Sequence, residues 1–408
     1  MNSKILSVLF ASALLLTGCI TEYNAILPPN DTLILVVDGN IIENTDVIFH
    51  ISESFSLDSP RIPEESYINN ATLNIIGSNG YKSPSATNQG KGTYQIAVGE
   101  LDDNMEYGIQ IEYDGNIYQS ALSKPLHTPE IDTVYWTQPE PLGEVSFYIS
   151  THDDTDRAKF YLWNYTEDWE ITVPIYASIF YNPETNEFYS GSSTPYYYCW
   201  KKQADYKIGS TESLSENRIV DKLLYQLDPE FEGNLDRFQI LYCVTVTQKA
   251  ISRGAYEYYQ NRQKLNEEMG GLFTPQPAEL TGNITCVTNP SKKVMGYVET
   301  VKNISQKRIF VHQGQFPLIW PYWPTKQMEC NCGIPPDDDD CTRNILSNDN
   351  ILKSGWTYRD LYYILGYRPV DADTTGYLPN MWAPAICTDC REHGGTKDKP
   401  DFWPNDHR

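Results

Sequence analysis

The chain has 408 residues, and its 54 acidic and 31 basic side chains give a formal net charge of −23. Such an excess of acid excludes a nucleic-acid-binding role, because those sites need a basic surface. The length allows about two or three domains. Thirty tyrosines and nine tryptophans favour β-structure and aromatic binding surfaces.

The first eighteen residues are organised as an export signal. Lys4 gives a positive start, Ile5 to Leu16 is an uncharged apolar run, and Leu16-Thr17-Gly18-Cys19 follows. The run is shorter than the about 20 residues that a membrane span needs, and small residues after it indicate cleavage. The last four residues resemble the bacterial lipobox. We therefore expect residues 1–18 to be a signal peptide and Cys19 to carry lipid; the alternative is a plain secretory signal.

The following segment predicts a lipidated tether over residues 19–31 and an immunoglobulin-like β-sandwich over residues 32–128. Asp114-Gly115 predicts a type I′ hairpin turn, because both residue types tolerate a positive φ. Leu101 and Tyr107 indicate a tyrosine corner, in which the phenol fixes a loop to the backbone. The predicted strands of the sandwich are Leu33–Asp38, Val47–Ser52, Ala71–Ile76, Gly92–Val98, Glu106–Tyr113 and Ile117–Ser120.

Pro125 to Pro129 marks a boundary, and residues 129–408 predict a larger, antiparallel β-rich domain with a cysteine-rich end. One helix is expected from Ser252, a good N-cap, to Met269, just before Gly270-Gly271. The fold class is therefore mainly β, with one long helix. The predicted strands here are Asp132–Trp136, Val145–Ser150, Phe160–Trp163, Glu170–Ile175 and Ile240–Gln248.

Apart from Cys19, eight cysteines occupy the C-terminal half of the chain. An even number in an exported protein favours disulfides, and eight cysteines allow 105 pairings, among which the sequence does not choose. We expect all eight to be disulfide-bonded: Cys199, Cys243, Cys286, Cys330, Cys332, Cys341, Cys387 and Cys390.

Several segments beside the lipobox are specific enough to compare with a known family. They are Leu35–Gly39, Tyr161–Glu170, Gly271–Pro277, Gly282–Ile284, Cys387–Arg391, Gly394–Thr396 and Lys399–Trp403. These segments resemble the domain-of-unknown-function 4249 lipoproteins of Bacteroidota, and the resemblance covers essentially the whole mature chain. It implies an outer-membrane lipoprotein, often encoded beside a TonB-dependent transporter, and it implies no known activity.

Glu167 is the most plausible catalytic carboxylate, because its neighbours Trp163, Tyr165 and Trp169 are aromatic. Desolvation raises the pKa of a carboxylate in such a setting. Glycosidase chemistry also requires a second carboxylate at a fixed separation, so a structural role for Glu167 is favoured. The sequence lacks the G-x-S-x-G, H-E-x-x-H and P-loop motifs.

The cysteine-rich end offers further alternatives. Cys387-x-x-Cys390 matches a redox pair without the βαβ context, so a structural disulfide is favoured. Zinc is the less favoured alternative, and its ligand set would be Cys330, Cys332, Cys341, Cys387, Cys390 and His393. Asp337 to Asp340 is interpreted as a solvated loop rather than a calcium site, and His152 to Asp156 as a turn. No cofactor or metal is predicted.

Trp320, Tyr322 and Trp323 lie among prolines that hold them out of central strands. They form either an exposed binding surface or a buried plug.

Two functions are compatible with the sequence as a whole. One is a non-catalytic accessory lipoprotein that captures a ligand for, or docks onto, a TonB-dependent transporter in the outer membrane. The other is a surface hydrolase of glycans or peptides.

Overall fold

A computed structural model describes residues 34–54, 63–173, 179–182, 187–190, 196–228, 231–234, 236–268, 280, 282–317, 361–363, 382–384 and 389–408. The fold is mainly β with one long helix, as predicted. The helix, α1 (Arg253–Glu268), is mostly polar, and the described part of the chain holds no helix with the length and apolar character of a membrane span.

Eight strands form the greater part of a β-sandwich whose core includes Phe49, Ile51, Leu73 and Ile109, all with no exposed surface. Apolar and polar residues alternate along the strands, so these apolar side chains share the face of the sheet that points inward. The strands are β1 (Leu35–Asp38), β2 (Ile41–Ile42), β3 (Asp46–Glu53), β4 (Thr72–Gly77), β5 (Thr87–Gly90), β6 (Thr93–Ala97), β7 (Tyr107–Tyr113) and β8 (Asn116–Ser120).

Two local predictions in the sandwich are confirmed. Asp114 and Gly115 have φ values of 49° and 68° and join β7 to β8, as a type I′ turn requires. The Tyr107 hydroxyl accepts a hydrogen bond of 2.9 Å from the Asp102 backbone N–H, with Leu101 buried beside it. The tyrosine corner therefore holds the loop before β7.

The second unit packs two sheets around a core that includes Trp163, Phe147, Phe238 and Tyr242. One strand, β11 (Phe160–Thr172), joins the predicted strands Phe160–Trp163 and Glu170–Ile175, and the last two residues of the second prediction lie outside the described residues. Its elements are β9 (Ile131–Thr137), β10 (Val145–His152), β11 (Phe160–Thr172), β12 (Ile179–Asn182), β13 (Glu187–Ser190), β14 (Tyr198–Ser210), β15 (Arg218–Leu227), β16 (Leu241–Ile251) and helix α1 (Arg253–Glu268).

Helix α1 begins where the sequence predicts. The Ser252 side chain accepts from the Ala255 backbone N–H at 3.1 Å, which satisfies one of the donors left open at a helix start. Ala255 and Tyr258 are buried, and Ala255 packs on Phe160 and Leu162 of β11. This face of the helix thus covers one end of the large sheet.

After α1 the chain returns to the sandwich through β17 (Ile284–Cys286), β18 (Val294–Met295) and β19 (Thr300–Val301). These strands pair with β8, β1 and β2, so the sandwich sheets have the orders β18-β1-β3-β6-β5 and β17-β8-β7-β4. The predicted sandwich, residues 32–128, does not include this return. Each of these strands has only two or three residues, which is too few for a period-two pattern to assign them to the sandwich.

The chain then re-enters the second unit as β20 (Ser305–His312), followed by β21 (Leu361–Tyr363) and β22 (Trp382–Pro384). The larger sheet of the second unit has the order β14-β11-β16-β20, and the sheet facing it has the order β15-β10-β9. Strand β11 is therefore central in its sheet, with every backbone group paired on both sides from Phe160 to Trp169.

Candidate functional site

Glu167 points from β11 into the core between the two sheets of the second unit. Its side chain is only 3% exposed, and its carboxylate accepts from Arg237 Nη1 at 2.6 Å and from the Tyr242 hydroxyl at 2.5 Å. Tyr225 lies behind Tyr242, with 2.7 Å between the two hydroxyl oxygens. Because Tyr242 donates to Glu167, Tyr225 is the donor to Tyr242.

Arg237 has its own set of contacts in this interior network. Its guanidinium donates to Gln203 at 2.5 Å and to Asn234 at 3.1 Å, and it lies 4.3 Å from the ring centroid of Trp169. Burial raises the pKa of Glu167, while the charge of Arg237 and the bond from Tyr242 lower it. The carboxylate is thus engaged within the protein, and the preferred structural interpretation of Glu167 agrees with this geometry.

Glu170 lies on the opposite face of the same strand, since it is three positions after Glu167 and side chains an odd number of positions apart point to opposite faces. It has no exposed surface and is held by the end of the chain. Arg408 Nε donates at 2.8 Å, Trp403 Nε1 donates at 3.3 Å, and His407 is a third partner. The two buried glutamates therefore face different cores and do not form the carboxylate pair of a glycosidase.

A disulfide between Cys199 on β14 and Cys390 fixes the start of this C-terminal segment. The Cys390 partner is thus Cys199, not Cys387 of the C-x-x-C pair. Cys243 and Cys286 are free, buried thiols, which differs from the expectation that all eight cysteines pair. They lie in different units, Cys243 in the large sheet and Cys286 in the sandwich. Burial raises the pKa of Cys243 to about 12, which keeps that thiol protonated and unreactive.

Loss of the Cys199–Cys390 disulfide should lower the free energy of unfolding by about 2–4 kcal/mol, because the bond restricts the unfolded chain. Cys199→Ala/Cys390→Ala should therefore melt at a lower temperature than the wild type and respond less to reductant. Cys286→Ala is the matched control and should respond to reductant as the wild type does. Equal responses of the double variant and the wild type would contradict a stabilising bond.

The turn predicted from His152 to Asp156 is present and is built on Asp153. Its carboxylate accepts from the backbone N–H groups of Thr155, Arg157 and Ala158 at 2.7–2.9 Å. Burial raises the pKa of Asp153, but the bonds from Thr155, Ala158 and Arg157 outweigh it and the pKa is lowered. The acidic run is thus a turn whose central carboxylate is fully used.

Other predicted site residues lie outside the described residues. Among those that are described, no three histidine, cysteine or acidic side chains come together as a metal site would require. The predicted site residues that lie outside the described ranges are Cys19, Trp320, Tyr322, Trp323, Cys330, Cys332, Asp337–Asp340, Cys341 and Cys387.

The outer face of the large sheet has an uncovered middle, which we call the polar patch. Helix α1 covers Leu162 at one end and Trp403 covers Glu170 at the other, yet Asn164 between them is exposed. The cross-strand register defines three rows, written from β14 through β11 and β16 to β20: Tyr206-Asn164-Thr247-Gln306, Ala204-Thr166-Thr245-Arg308 and Lys202-Asp168-Cys243-Phe310.

The sequence carries a signal for this patch. From Tyr161 to Trp169, aromatic residues and Glu167 alternate with Leu162, Asn164, Thr166 and Asp168. Period-two alternation places the polar set on one face of a strand. The sequence does not show that this polar face stays exposed, because its exposure depends on where helix α1 and the C-terminal segment pack.

Comparison with known proteins agrees with the resemblance to a domain of unknown function. The model of a domain of unknown function, DUF4249, matches residues 20–307, which is most of the chain. The chain belongs to the DUF4249 family. No curated protein matches it.

Among solved structures, this DUF4249 protein has a distant similarity to E. coli alpha-2-macroglobulin in its native conformation, with 10% sequence identity and a TM-score of 0.16. The match covers 57% of this chain but 14% of that protein, so the chain spans about a seventh of its length. A likeness of this size carries no argument about fold or function.

Proposed function

We propose that this DUF4249 protein is an outer-membrane-anchored accessory lipoprotein that works without covalent chemistry. In this proposal it captures a ligand for, or docks onto, a TonB-dependent transporter. The observation that carries the non-catalytic part is the state of Glu167. The best acid–base candidate of the sequence is buried, and its Oε2 is bonded to Arg237 and Tyr242, so the carboxylate is held inside the core and is not open to a substrate in solution.

The anchor part of the proposal rests on the lipobox-like Leu16-Thr17-Gly18-Cys19. Lipid chains confine a protein to the membrane plane, which raises its effective concentration near a membrane partner. Even a weak contact with a transporter is then occupied for much of the time. A β-rich body that presents binding surfaces suits this role, and the sandwich would serve as a spacer.

Cys19→Ser should leave the protein unprocessed or released from the membrane, because serine offers no thiol for acylation. Fractionation of cells with detection of the mature and precursor forms measures this. Cys286→Ser provides a cysteine control that should fractionate as the wild type does. Normal retention and acylation of Cys19→Ser would contradict the anchor.

The contact with the transporter is proposed to involve Trp320, Tyr322 and Trp323. Aromatic side chains dominate binding hot spots, at about 2 kcal/mol or more each. Replacing all three with alanine should weaken co-purification of a transporter after mild crosslinking by at least about tenfold, with an unchanged melting temperature. The matched control is Phe231→Ala, because Phe231 is an exposed aromatic residue of the second unit. Full co-purification by the triple variant would place the contact elsewhere.

A further inference from the structure

The polar patch has the size and the side chains of a ligand surface. Its three rows are two residues apart along the strands, and it crosses four strands, so it measures about 13 by 14 Å. It is bounded on the helix side by Tyr206, whose ring packs on Tyr259, and on the other side by Phe310, whose ring packs on Trp403. The patch is therefore a shallow surface between two aromatic walls.

Free polar groups cover the floor of the patch. Asn164 and Thr166 have no side-chain hydrogen bond to any residue in the described part of the chain. Thr245 and Thr247 are half-exposed and accept from Arg308 at 2.8 Å and Gln306 at 3.0 Å. Amides and hydroxyls both donate and accept, which matches a ligand with many hydroxyl groups.

Asp168 is a second, independent sign of a ligand. It is only 4% exposed, yet across the described ranges its carboxylate has no hydrogen bond and no ion pair. Its oxygens are not among the fully buried polar atoms that lack a partner, so they still reach solvent at the floor of the patch. Burial raises the pKa of Asp168, while the charges of Lys202 and Arg308 oppose that rise. The unused carboxylate lies in the patch and is available to donors of a bound molecule.

The charge of the patch is opposite to that of the protein. The exposed charged residues in its rows are Lys202 and Arg308, and Arg262 lies over the Tyr206 ring at the helix edge. Arg308 stacks on Phe402 at 3.6 Å, which fixes its guanidinium at the rim. Local positive charge on a chain of net charge −23 favours an anionic ligand.

Peptides are a poorer match than sugars. Extended peptides bind at free sheet edges and helical peptides bind in apolar grooves. The patch lies on the face of a central strand whose backbone groups are all paired there, and its floor is polar. We propose that the polar patch binds an acidic carbohydrate, whose hydroxyls meet the Asn164 and Thr166 side chains and whose carboxylate meets Lys202 and Arg308.

This inference rests on the ligand-capture part of the proposed function. It is tested by calorimetric titration of the full-length protein in detergent, without a transporter, so that its failure leaves docking unaffected. The probes are oligosaccharides of polygalacturonate, alginate and hyaluronan, with dextran and galactan oligosaccharides as neutral counterparts and poly-glutamate as an acidic peptide. At least one acidic glycan should bind, more weakly at high salt, and the neutral ones should not.

Two variants locate the binding. Lys202→Ala/Arg308→Ala should weaken it by at least about tenfold, because two charge-assisted contacts are lost. Ala204→Glu adds a carboxylate to an exposed floor position without removing a contact and should weaken it as much. Lys222→Ala, on β15 of the other sheet, should bind as the wild type does. The proposal would be overturned if the patch variants bound an acidic glycan as tightly as the wild type does. It would also be overturned if neutral glycans or poly-glutamate bound equally well, or if no acidic glycan bound.

Discussion

Arg237→Met should lower the free energy of unfolding by about 3–5 kcal/mol, because it leaves the Glu167 charge buried without its partner. Arg237 and Glu167 are 5% and 3% exposed, so water does not replace the lost guanidinium. The variant also loses the bonds to Gln203 and Asn234 and the contact with Trp169. Urea unfolding followed by circular dichroism measures the difference.

The double variant Glu167→Met/Arg237→Met separates charge from packing. Apolar residues of similar volume leave no buried charge, so the double variant should be more stable than Arg237→Met alone. If it is equally or less stable, the cost of Arg237→Met comes from lost packing, and the ion pair would not be the main interaction of this network.

Trp403→Ala should destabilise the protein by about 3–5 kcal/mol, the range for truncation of a large buried aromatic residue. Trp403 is 3% exposed and packs with Trp200, Leu241 and Cys243 on the outer face of the large sheet. Its loss also removes one donor from Glu170, which leaves that buried carboxylate to His407 and Arg408. The C-terminal segment should then become sensitive to limited proteolysis.

Phe231→Ala is the control for this truncation, because Phe231 is an aromatic residue with 64% of its surface exposed. Its replacement should change the free energy of unfolding by less than about 0.5 kcal/mol. A Trp403→Ala variant that unfolds like Phe231→Ala, with its C-terminal segment still resistant to protease, would show that this segment does not stabilise the sheet.

Local patterns in the sequence predicted local structure well. Asp114-Gly115 predicted a hairpin turn, Tyr107 predicted a tyrosine corner and Ser252 predicted the start of a helix. Each of these features depends on a few adjacent residues. The strand β14, Tyr198–Ser210, was not predicted, since Lys201, Lys202 and Asp205 interrupt its apolar pattern. Those residues are polar because this strand lies at the edge of its sheet, with one side of it near solvent.

Long-range relationships were beyond the sequence. The bond between Cys199 and Cys390 joins residues 191 positions apart, and one sequence does not rank that pairing above the others. The strand β18 pairs with β1 across more than half of the chain. A structural role was favoured for Glu167, and its partner Arg237 was not identified, because spatial contact between them depends on how two distant loops and strands pack.

The polar patch shows the same division. The alternation in β11 placed Asn164, Thr166 and Asp168 on one face, but such a polar face is usually just the solvated side of a sheet. The unpartnered, buried Asp168 and the two flanking cations, Lys202 and Arg308, distinguish the patch from the ordinary solvated face of a sheet. These features depend on burial and on neighbours from three other strands, so they emerge only in the folded protein.

The central claim, an anchored protein that binds a transporter without turnover, is tested most directly by mild crosslinking in intact cells. A tagged wild-type protein is purified from the membranes, and its crosslinked partners are identified by mass spectrometry against an untagged strain. The account predicts one enriched TonB-dependent transporter, at a yield that falls when Cys19 is replaced by serine. Absence of any transporter among the partners, or turnover of a glycan or peptide that depends on Glu167, would contradict it.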